Sequence, residues 1–173
     1  MDKLRLNKIK GLWFYGMSGA GKTTTSNYIV TKLKNDKISY IHIDGELTRQ
    51  YINFDLGYEK KDRELVIKRN YGMAIIALAS NNFPIVCSVF MNQEISKLLE
   101  KKNIKLIKIE RNMDLQFDQH PTYKNKSNIV GKDIIYSDIK KYLKLFNSSD
   151  KNYFDEIDKL YKESLKPLII SKL

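Results

Sequence analysis

The chain carries the stretch Gly16-Met17-Ser18-Gly19-Ala20-Gly21-Lys22-Thr23, which matches the pattern G-x-x-x-x-G-K-[ST] at every fixed position. An apolar run at 12–15 precedes this stretch, and a helical pattern at 24–33 follows it. A strand, a glycine turn and a helix form the frame in which backbone N–H groups converge on phosphate oxygens. The stretch therefore predicts a loop that binds a nucleoside triphosphate.

Each part of this phosphate loop has a predicted role in binding ATP. Lys22 can reach the β- and γ-phosphates, and the hydroxyl of Thr23 can bind Mg²⁺. A glycine-rich turn without a ligand is the alternative, and the presence of both Lys22 and Thr23 argues against it. The predicted ATP-binding residues are Gly16, Ser18, Gly19, Ala20, Gly21, Lys22, Thr23, Thr24 and, after a later strand, Arg111.

Composition predicts one soluble domain spanning residues 1–173. A hydrophobic content of 42% and a charged content of 29% are ordinary for a globular protein. No apolar run approaches the length of a membrane span, and the first ten residues are charged rather than signal-like. We therefore expect a cytoplasmic protein without a membrane partner. The single cysteine, Cys87, excludes an internal disulfide and is expected to be a buried strand residue rather than a nucleophile.

The net charge of +11 fits either nucleic acid or small polyanionic substrates as partners. Most of the excess comes from lysines spread along the whole chain, without an arginine-rich arm or an alternation of basic and aromatic residues. We therefore expect small-molecule nucleotide substrates and no nucleic acid. A basic nucleic-acid-binding ATPase is the alternative from another class, and a homodimer is left open.

Alternating strand and helix patterns predict a mostly parallel sheet with helices on both faces. Strands are predicted at 11–15, 38–43, 83–87 and 104–109, and helices at 24–33, 62–80, 92–102, 137–146 and 150–164. Residues 168–170 are either a last strand or a tail packed on the core. Asp62 is expected to cap the long helix, in which Gly72 costs about 1 kcal/mol unless something packs close to it.

Polar side chains follow the second strand, which we expect to lie beside the strand that leads into the phosphate loop. Asp44 can accept the proton of an acceptor hydroxyl or hold a water on Mg²⁺. Its alternative role is an Asx turn or helix cap before Glu46. Arg49, about one helical turn later, can bind an anionic acceptor. Because ligands of parallel sheets bind at the carboxyl ends of the strands, the loop, Asp44, Ser88 and Arg111 are predicted to meet there.

Three linked motifs resemble those of the adenylylsulfate (APS) kinases. They are the loop at 16–24, the Asp-Gly-x-x-x-Arg run at 44–49, and the Asp-Leu-Gly-Tyr-x-x-x-Asp-Arg run at 55–63. The resemblance covers roughly residues 12–110 in the same order and spacing. It implies a three-layer P-loop NTPase fold and transfer of the γ-phosphate of ATP, with Mg²⁺, to the 3′-hydroxyl of a nucleotide acceptor.

The resemblance also implies a role for each site residue. Asp44 and Lys22 would be catalytic, and Mg²⁺ would be held by Thr23 and, through water, by Asp44. On the acceptor side, arginines would bind the phosphates and a tyrosine would stack on the base. The implied acceptor-binding residues are Arg49, Tyr58, Arg63, Ser88 and Ile129.

The match weakens on the acceptor side. The family's Asn three residues after the Arg63 position is Val66 here. Its Phe-Thr-Gly-x-Asp appears at 129–133, which puts Ile129 in place of the Phe that stacks on adenine. The predicted lid, about residues 111–133, lacks the family's Arg-Asp-x-Lys-Gly-Leu-Tyr, and the stretch at 120–124 is its displaced counterpart. His120 within the lid is expected to be structural.

These departures favour a changed acceptor over an inactive protein, because the donor-side residues are all retained. APS-kinase-like enzymes of bacterial capsule modification phosphorylate cytidine diphosphoramidate, and a smaller pyrimidine explains the loss of the stacking Phe. We therefore expect cytidine diphosphoramidate as the acceptor. Adenylylsulfate is the alternative.

Overall fold

Five strands form one sheet in the computed structural model, which describes residues 8–112, 129–130, 132–134, 139–148 and 152–170. The strands are β1 (Gly11–Tyr15), β2 (Tyr40–Ile43), β3 (Phe83–Ser88), β4 (Ile104–Arg111) and β5 (Leu143–Asn147). Every neighbouring pair is parallel, and the order across the sheet is β2-β3-β1-β4-β5. The predicted parallel α/β sheet is therefore confirmed.

Helices connect and follow these strands. They are α1 (Lys22–Asn35), α2 (Gly45–Tyr51), α3 (Lys60–Ala79), α4 (Gln93–Lys101), α5 (Asn152–Lys159) and α6 (Lys166–Ile170). A π-helical segment, Leu160–Leu165, joins α5 to α6. Within the described ranges, none of these helices combines the length and the apolar character needed to cross a membrane.

The central strand β1 is buried on both faces of the sheet. Successive side chains of a strand point to opposite faces, and those of β1 enter two separate cores. Leu12 and Phe14 pack in one core, and Trp13 and Tyr15 pack in the other. A strand that is apolar on both faces is typical of a parallel sheet covered on both sides.

Helices form the two outer layers that these cores require. On one face α1 packs through Ile29 and Leu33, next to Ile157 of α5. On the other face α3 and α4 pack through Ile67 and Leu99. Each of these side chains is at most 1% exposed, and full burial of such a side chain contributes about 1.5–3 kcal/mol relative to exposure. The predicted three-layer arrangement is confirmed.

The position of β2 corrects one expectation. β2 does not lie beside β1, because β3 is inserted between them and pairs with both. All six residues of β3 are buried, whereas β2 carries partly exposed residues and forms an edge of the sheet. Burial of a largely apolar strand favours a central position, so β3 takes the place next to β1. The carboxyl end of β2 still opens on the same edge as the phosphate loop, since all strands are parallel.

The helix predicted at 137–146 is also wrong, because residues 143–147 form strand β5 against β4. Leu145 is buried between the exposed Lys144 and Phe146, which is the alternation of an edge strand. This period of two covers only a few residues, and the pairing partner is more than thirty residues away in the chain. The strand therefore depends on a tertiary contact that its own sequence does not show.

The ends of two helical segments differ from the predictions. α3 begins at Lys60 with Glu59 at the N-cap position, so the predicted cap at Asp62 is wrong. Asp62 lies instead in the first turn, where a carboxylate interacts favourably with the helix dipole. At the other end of the chain, residues 168–170 are helical, and Ile169 packs on the core as a tail rather than as a strand.

We predict that Gly72→Ala raises the free energy of unfolding by about 1 kcal/mol, because alanine is the better helix former. A Cβ atom at Gly72 meets no heavy atom within 4 Å, so nothing offsets this gain. Chemical denaturation of the two proteins measures the difference. Gly11→Ala is the matched control. Its Cβ would lie 2.7 Å from Cγ of Pro84, so this variant should be destabilised. A loss of stability in Gly72→Ala comparable to the control would contradict the prediction.

Candidate active site

A cleft of about 560 Å³ opens at the carboxyl edge of the sheet, between the phosphate loop, α2 and α3. The phosphate loop and Ser88, two of the features predicted to meet at this edge, both line the cleft, and ligand binding there stays a prediction. Of the residues predicted to bind ATP, those that line the cleft are Ser18, Gly19, Gly21, Lys22, Thr23 and Thr24. Gly16 and Ala20 belong to the same loop, but they are buried and do not line the cleft.

Close packing under the phosphate loop explains its small residues. Gly16 has φ +152°, and a Cβ there would overlap the carbonyl oxygen of Ile109 in β4. Gly21 has φ +99° and contacts the amide of Asn147. Asn147, at the end of β5, donates through Nδ2 to the carbonyl oxygen of Ala20 at 3.0 Å. Strands β4 and β5 therefore hold the loop in place.

Lys22 is half-buried at the start of α1. Its ammonium group donates to the carbonyl oxygen of Met17 at 2.7 Å, across the loop. Burial lowers the pKa of Lys22 to about 8, against the opposing effect of Cys87, Asp44 and Glu46. An anionic phosphate in the cleft would stabilise the charged form of this lysine.

The carboxylate of Asp44 connects α2 to the phosphate loop. Its Oδ1 accepts hydrogen bonds from the backbone N–H groups of Glu46 at 2.9 Å and Leu47 at 3.2 Å, which caps α2. Its Oδ2 accepts from the hydroxyl of Thr23 at 3.2 Å. The cap that the sequence offered as an alternative role is therefore present, and it holds the carboxylate beside the donor loop. Asp44 is 8% exposed.

The side chains of Cys87 and His42 lie next to the Asp44 carboxylate. The ligand atoms of His42, Asp44 and Cys87 lie within 4.8 Å of one another. Burial raises the pKa of the Cys87 thiol to about 11, and burial lowers the pKa of His42. A thiol with a raised pKa is a poor nucleophile, which agrees with the prediction that Cys87 is a buried strand residue.

Arg49, Tyr58 and Arg63 form a cluster on the acceptor side. The guanidinium carbons of Arg49 and Arg63 lie 4.7 Å and 5.6 Å from the centre of the Tyr58 ring. Nη1 of Arg49 also donates to the carbonyl oxygens of Leu56 at 2.8 Å and Gly57 at 3.0 Å. Nε of Arg63 donates to the carbonyl oxygen of Tyr58 at 3.0 Å. Arg49 and Tyr58 line the cleft, and Arg63 contacts Tyr58 without being part of the cleft wall formed by the described residues.

Ser88 lines the cleft, but its hydroxyl makes hydrogen bonds within the protein. It accepts from Nε1 of Trp13 at 2.7 Å and donates to the carbonyl oxygen of Phe90 at 2.8 Å. Arg111, at the end of β4, donates to the carbonyl oxygen of Gly19 at 3.3 Å, so it reaches the phosphate loop.

Ile129 is not brought to the cleft by the structure. Its side chain is 5% exposed, and it is absent from the cleft wall formed by the described residues. Its backbone N–H donates to a carboxylate oxygen of Asp133 at 2.9 Å, which closes a short turn. A contact between Ile129 and an acceptor stays a prediction. Most of the predicted lid, including His120, lies outside the described residues.

Several cleft residues were missed by the sequence analysis. Asn53 and Asn70 are fully buried in the cleft wall. Val66, which lies on the same face of α3 as Asn70, also lines the cleft. The spacing of four residues between Val66 and Asn70 was the available signal, because it places both on one side of a helix. Nothing in the sequence indicated Asn147, since the residues just before it, 137–146, were predicted as helix.

Comparison with known proteins identifies relatives of the chain. Residues 8–129, well over half of the chain, match the family model described as adenylylsulphate kinase. An adenylyl-sulfate kinase of Halothermothrix orenii is 38% identical over 85 residues, which cover 49% of this chain and 45% of the relative. A probable adenylyl-sulfate kinase of Pseudomonas aeruginosa is 39% identical over 77 residues, covering 44% and 36%. The matched part thus spans less than half the length of these curated relatives.

Solved structures show the same fold at lower identity. The Mycobacterium tuberculosis APS kinase CysC, solved in complex with AMPPNP and APS, matches with a TM-score of 0.71 at 22% identity, covering 90% of this chain and 99% of that one. A hexameric APS kinase from Thiobacillus denitrificans matches with a TM-score of 0.63 at 14% identity, covering 90% and 28%. Together with the match to the family model, the fold and the cleft show that the chain belongs to the adenylylsulphate kinase family.

Proposed function

We propose that this protein transfers the γ-phosphate of ATP to the 3′-hydroxyl of a nucleotide acceptor. The observation that carries the proposal is the 3.2 Å hydrogen bond between Thr23 of the phosphate loop and Asp44. It supports a site in which a carboxylate stands beside the phosphate that is to be transferred. P-loop ATPases also keep a carboxylate beside this threonine to hold Mg²⁺. The cluster of Arg49 and Tyr58 in the same cleft is therefore what favours a nucleotide acceptor over a nucleic-acid-binding ATPase.

The donor side consists of the phosphate loop and the start of α1. Backbone N–H groups at the loop and at the helix N-terminus point toward phosphate oxygens. The ammonium group of Lys22 donates a hydrogen bond to the carbonyl oxygen of Met17. When ATP binds, this group would instead contact the β- and γ-phosphates. Arg111, which donates to the carbonyl oxygen of Gly19 in the phosphate loop, would bind the same phosphates.

The oxygen atoms around Thr23 fit a magnesium ion. The Thr23 hydroxyl and the Asp44 carboxylate are hard oxygen ligands, which Mg²⁺ prefers, and they are close enough to share one hydrated ion. Thr23 would hold the ion directly and Asp44 through a water. When bound, Mg²⁺ neutralises the charge that develops on the transferred phosphate.

Asp44 acts on the acceptor hydroxyl. Two backbone hydrogen bonds to Oδ1 fix the orientation of the carboxylate, and Oδ2 faces Thr23. In this position Asp44 orients the 3′-hydroxyl for in-line attack and accepts its proton. General base catalysis of this kind contributes about 10²- to 10⁴-fold in rate.

The acceptor lies against the Arg49, Tyr58 and Arg63 cluster. Tyr58 lines the cleft and is 52% exposed, and stacking of a base on its ring would contribute about 1–3 kcal/mol. The two arginines supply positive charge for the acceptor's phosphate groups. The carbonyl contacts of Arg49 restrain its guanidinium before the acceptor binds.

Adenylylsulfate is the acceptor that the relatives support best, because the matching family model and the similar proteins are both named for adenylyl-sulfate kinases. Cytidine diphosphoramidate is a second candidate, and it is the acceptor that the sequence motifs favoured. Two observations support it: Val66 presents an apolar group to the cleft, and Ile129 contributes no aromatic face to the described cleft wall. The proposal also includes small-molecule nucleotides as the substrates and the cytoplasm as the location of the protein. A homodimer is included as the oligomeric state.

Asp44→Asn should lower turnover by about 10²- to 10⁴-fold, while MgATP still binds. Asparagine is an equally good N-cap, so α2 and the melting temperature should be retained. Coupled measurement of ADP release and calorimetric titration with MgATP test this expectation. Glu156→Gln, an exposed carboxylate change on α5, is the control. Near-full turnover in Asp44→Asn would show that the assigned role is wrong.

Arg49→Ala should raise the KM of the acceptor by about 10- to 100-fold. This is the loss of binding expected when a charged phosphate of the acceptor loses one hydrogen-bond donor. The KM of ATP should change by less than about twofold, because the Arg49 guanidinium donates to the carbonyl oxygens of Leu56 and Gly57, which are not among the residues predicted to bind ATP. Lys34→Ala, which removes one exposed positive charge from α1, controls for net charge. Equal effects of the two variants would reduce the role of Arg49 to a general electrostatic one.

The acceptor is tested by ADP release with adenylylsulfate and with cytidine diphosphoramidate side by side. We expect adenylylsulfate to support turnover. A higher kcat/KM with cytidine diphosphoramidate would establish the second candidate instead. Equal values would mean that Val66 and Ile129 do not set specificity, and no ADP release with either would contradict both acceptors.

A further inference from the structure

Two asparagines stand side by side in the wall of the cleft. Asn53 follows α2, and Asn70 lies in the middle of α3. Both side chains are 0% exposed, and Nδ2 of Asn53 donates to Oδ1 of Asn70 over a long distance of 3.4 Å. Both residues line the same cleft as Arg49 and Tyr58.

This amide pair has unused hydrogen-bonding capacity. Among the described residues, neither Oδ1 of Asn53 nor Nδ2 of Asn70 has a hydrogen-bond partner. Turning both amides over would exchange the atoms and again leave one acceptor and one donor. Buried polar groups are nearly always paired, so an unpaired donor and acceptor in a cleft wall indicate a ligand that completes them.

The backbone holds Asn53 firmly in this position. Its N–H donates to the carbonyl oxygen of Thr48 at 2.7 Å, and its own carbonyl accepts from the N–H of Leu56 at 3.2 Å. Asn70 is fixed by α3, whose buried face continues through Ala74 and Ala77. The pair is therefore preorganised on two rigid segments, which is the condition for selective recognition.

We propose that Asn53 and Asn70 recognise the base of the acceptor nucleotide by its hydrogen-bonding edge. The base that fits carries an amino group beside a ring nitrogen: the amino group donates to Oδ1 of Asn53, and the ring nitrogen accepts from Nδ2 of Asn70. Adenine and cytosine both have this edge. The inference rests on the proposed function, in which Tyr58 contacts the face of the same base and Arg49 binds its phosphates.

A purely structural pair is the competing explanation, in which the amides only fasten the segment after α2 to α3. The two explanations differ for the double variant Asn53→Leu/Asn70→Leu. Replacing both members of a buried hydrogen-bonded pair with apolar groups of similar size is nearly neutral or stabilising for the fold. Base recognition would nevertheless be lost, whereas a structural pair would leave nucleotide binding unchanged.

The experiment measures binding of nucleoside monophosphates by calorimetric titration in the presence of MgADP. AMP is compared with purine riboside 5′-monophosphate, which lacks the amino group, and CMP is compared with the corresponding 2-pyrimidinone nucleotide. We expect the wild-type protein to prefer the amino-bearing member of one pair by about 10- to 100-fold. In the double variant this preference should fall below about threefold, without a lower melting temperature. The pair that shows the preference identifies the base.

Further variants keep the test decisive. Asn27→Leu, the same change at an exposed position of α1, should leave the preference intact. If the double variant does not fold, the single variant Asn53→Leu removes the acceptor of the amino group and should abolish the preference. Asn70→Asp removes the donor to the ring nitrogen, so it should weaken binding of both members of a pair by a similar factor. The proposal is overturned if the wild-type protein does not distinguish the members of either pair, or if the folded variants that lack Asn53 keep the wild-type preference.

Failure of this inference can be told apart from failure of the proposed function. Phosphate transfer is measured separately, as ADP release with adenylylsulfate and with cytidine diphosphoramidate. Transfer without an amino preference would overturn base recognition by the amide pair and leave the kinase activity standing. An amino preference without transfer to either acceptor would support the amide pair and contradict the proposed reaction.

Discussion

The carboxylate of Asp44 is the contact that joins the two halves of this active site. Oδ1 caps α2, which carries Arg49 and leads to Asn53, and Oδ2 contacts Thr23 of the phosphate loop. The orientation of the acceptor side is therefore tied to the donor side through a single side chain. Because the cap keeps the carboxylate in place, the structural and the proposed catalytic role of Asp44 support each other.

The phosphate loop itself depends on strands that are far away in the sequence. Gly16 packs against the backbone of Ile109 in β4, and Ala20 accepts a hydrogen bond from Asn147 of β5. Arg111 also reaches the loop from the end of β4. The loop motif determines where phosphates bind, and the parallel pairing of β1, β4 and β5 determines how rigidly that motif is held.

Local patterns predicted the phosphate loop, the strand–helix alternation and the cap at Asp44, because each of them depends on neighbours within a few residues. The sequence did not predict β5 or the insertion of β3 between β2 and β1, since both depend on pairing between distant segments. The same reason explains why the Asn53–Asn70 pair was missed. The two asparagines are seventeen residues apart, and only the packing of the segment after α2 against α3 brings them together.

The acceptor side combines contacts of different selectivity. Stacking on Tyr58 and the charge of Arg49 suit any nucleotide, because every base has an aromatic face and every acceptor considered carries phosphate. Hydrogen bonds to a base edge discriminate, because a buried donor or acceptor that stays unpaired makes the wrong base costly to bind. Under the proposed recognition of the base by Asn53 and Asn70, whose amides are fully buried in this cleft wall, the choice of acceptor base would depend on these amides more than on the charged residues.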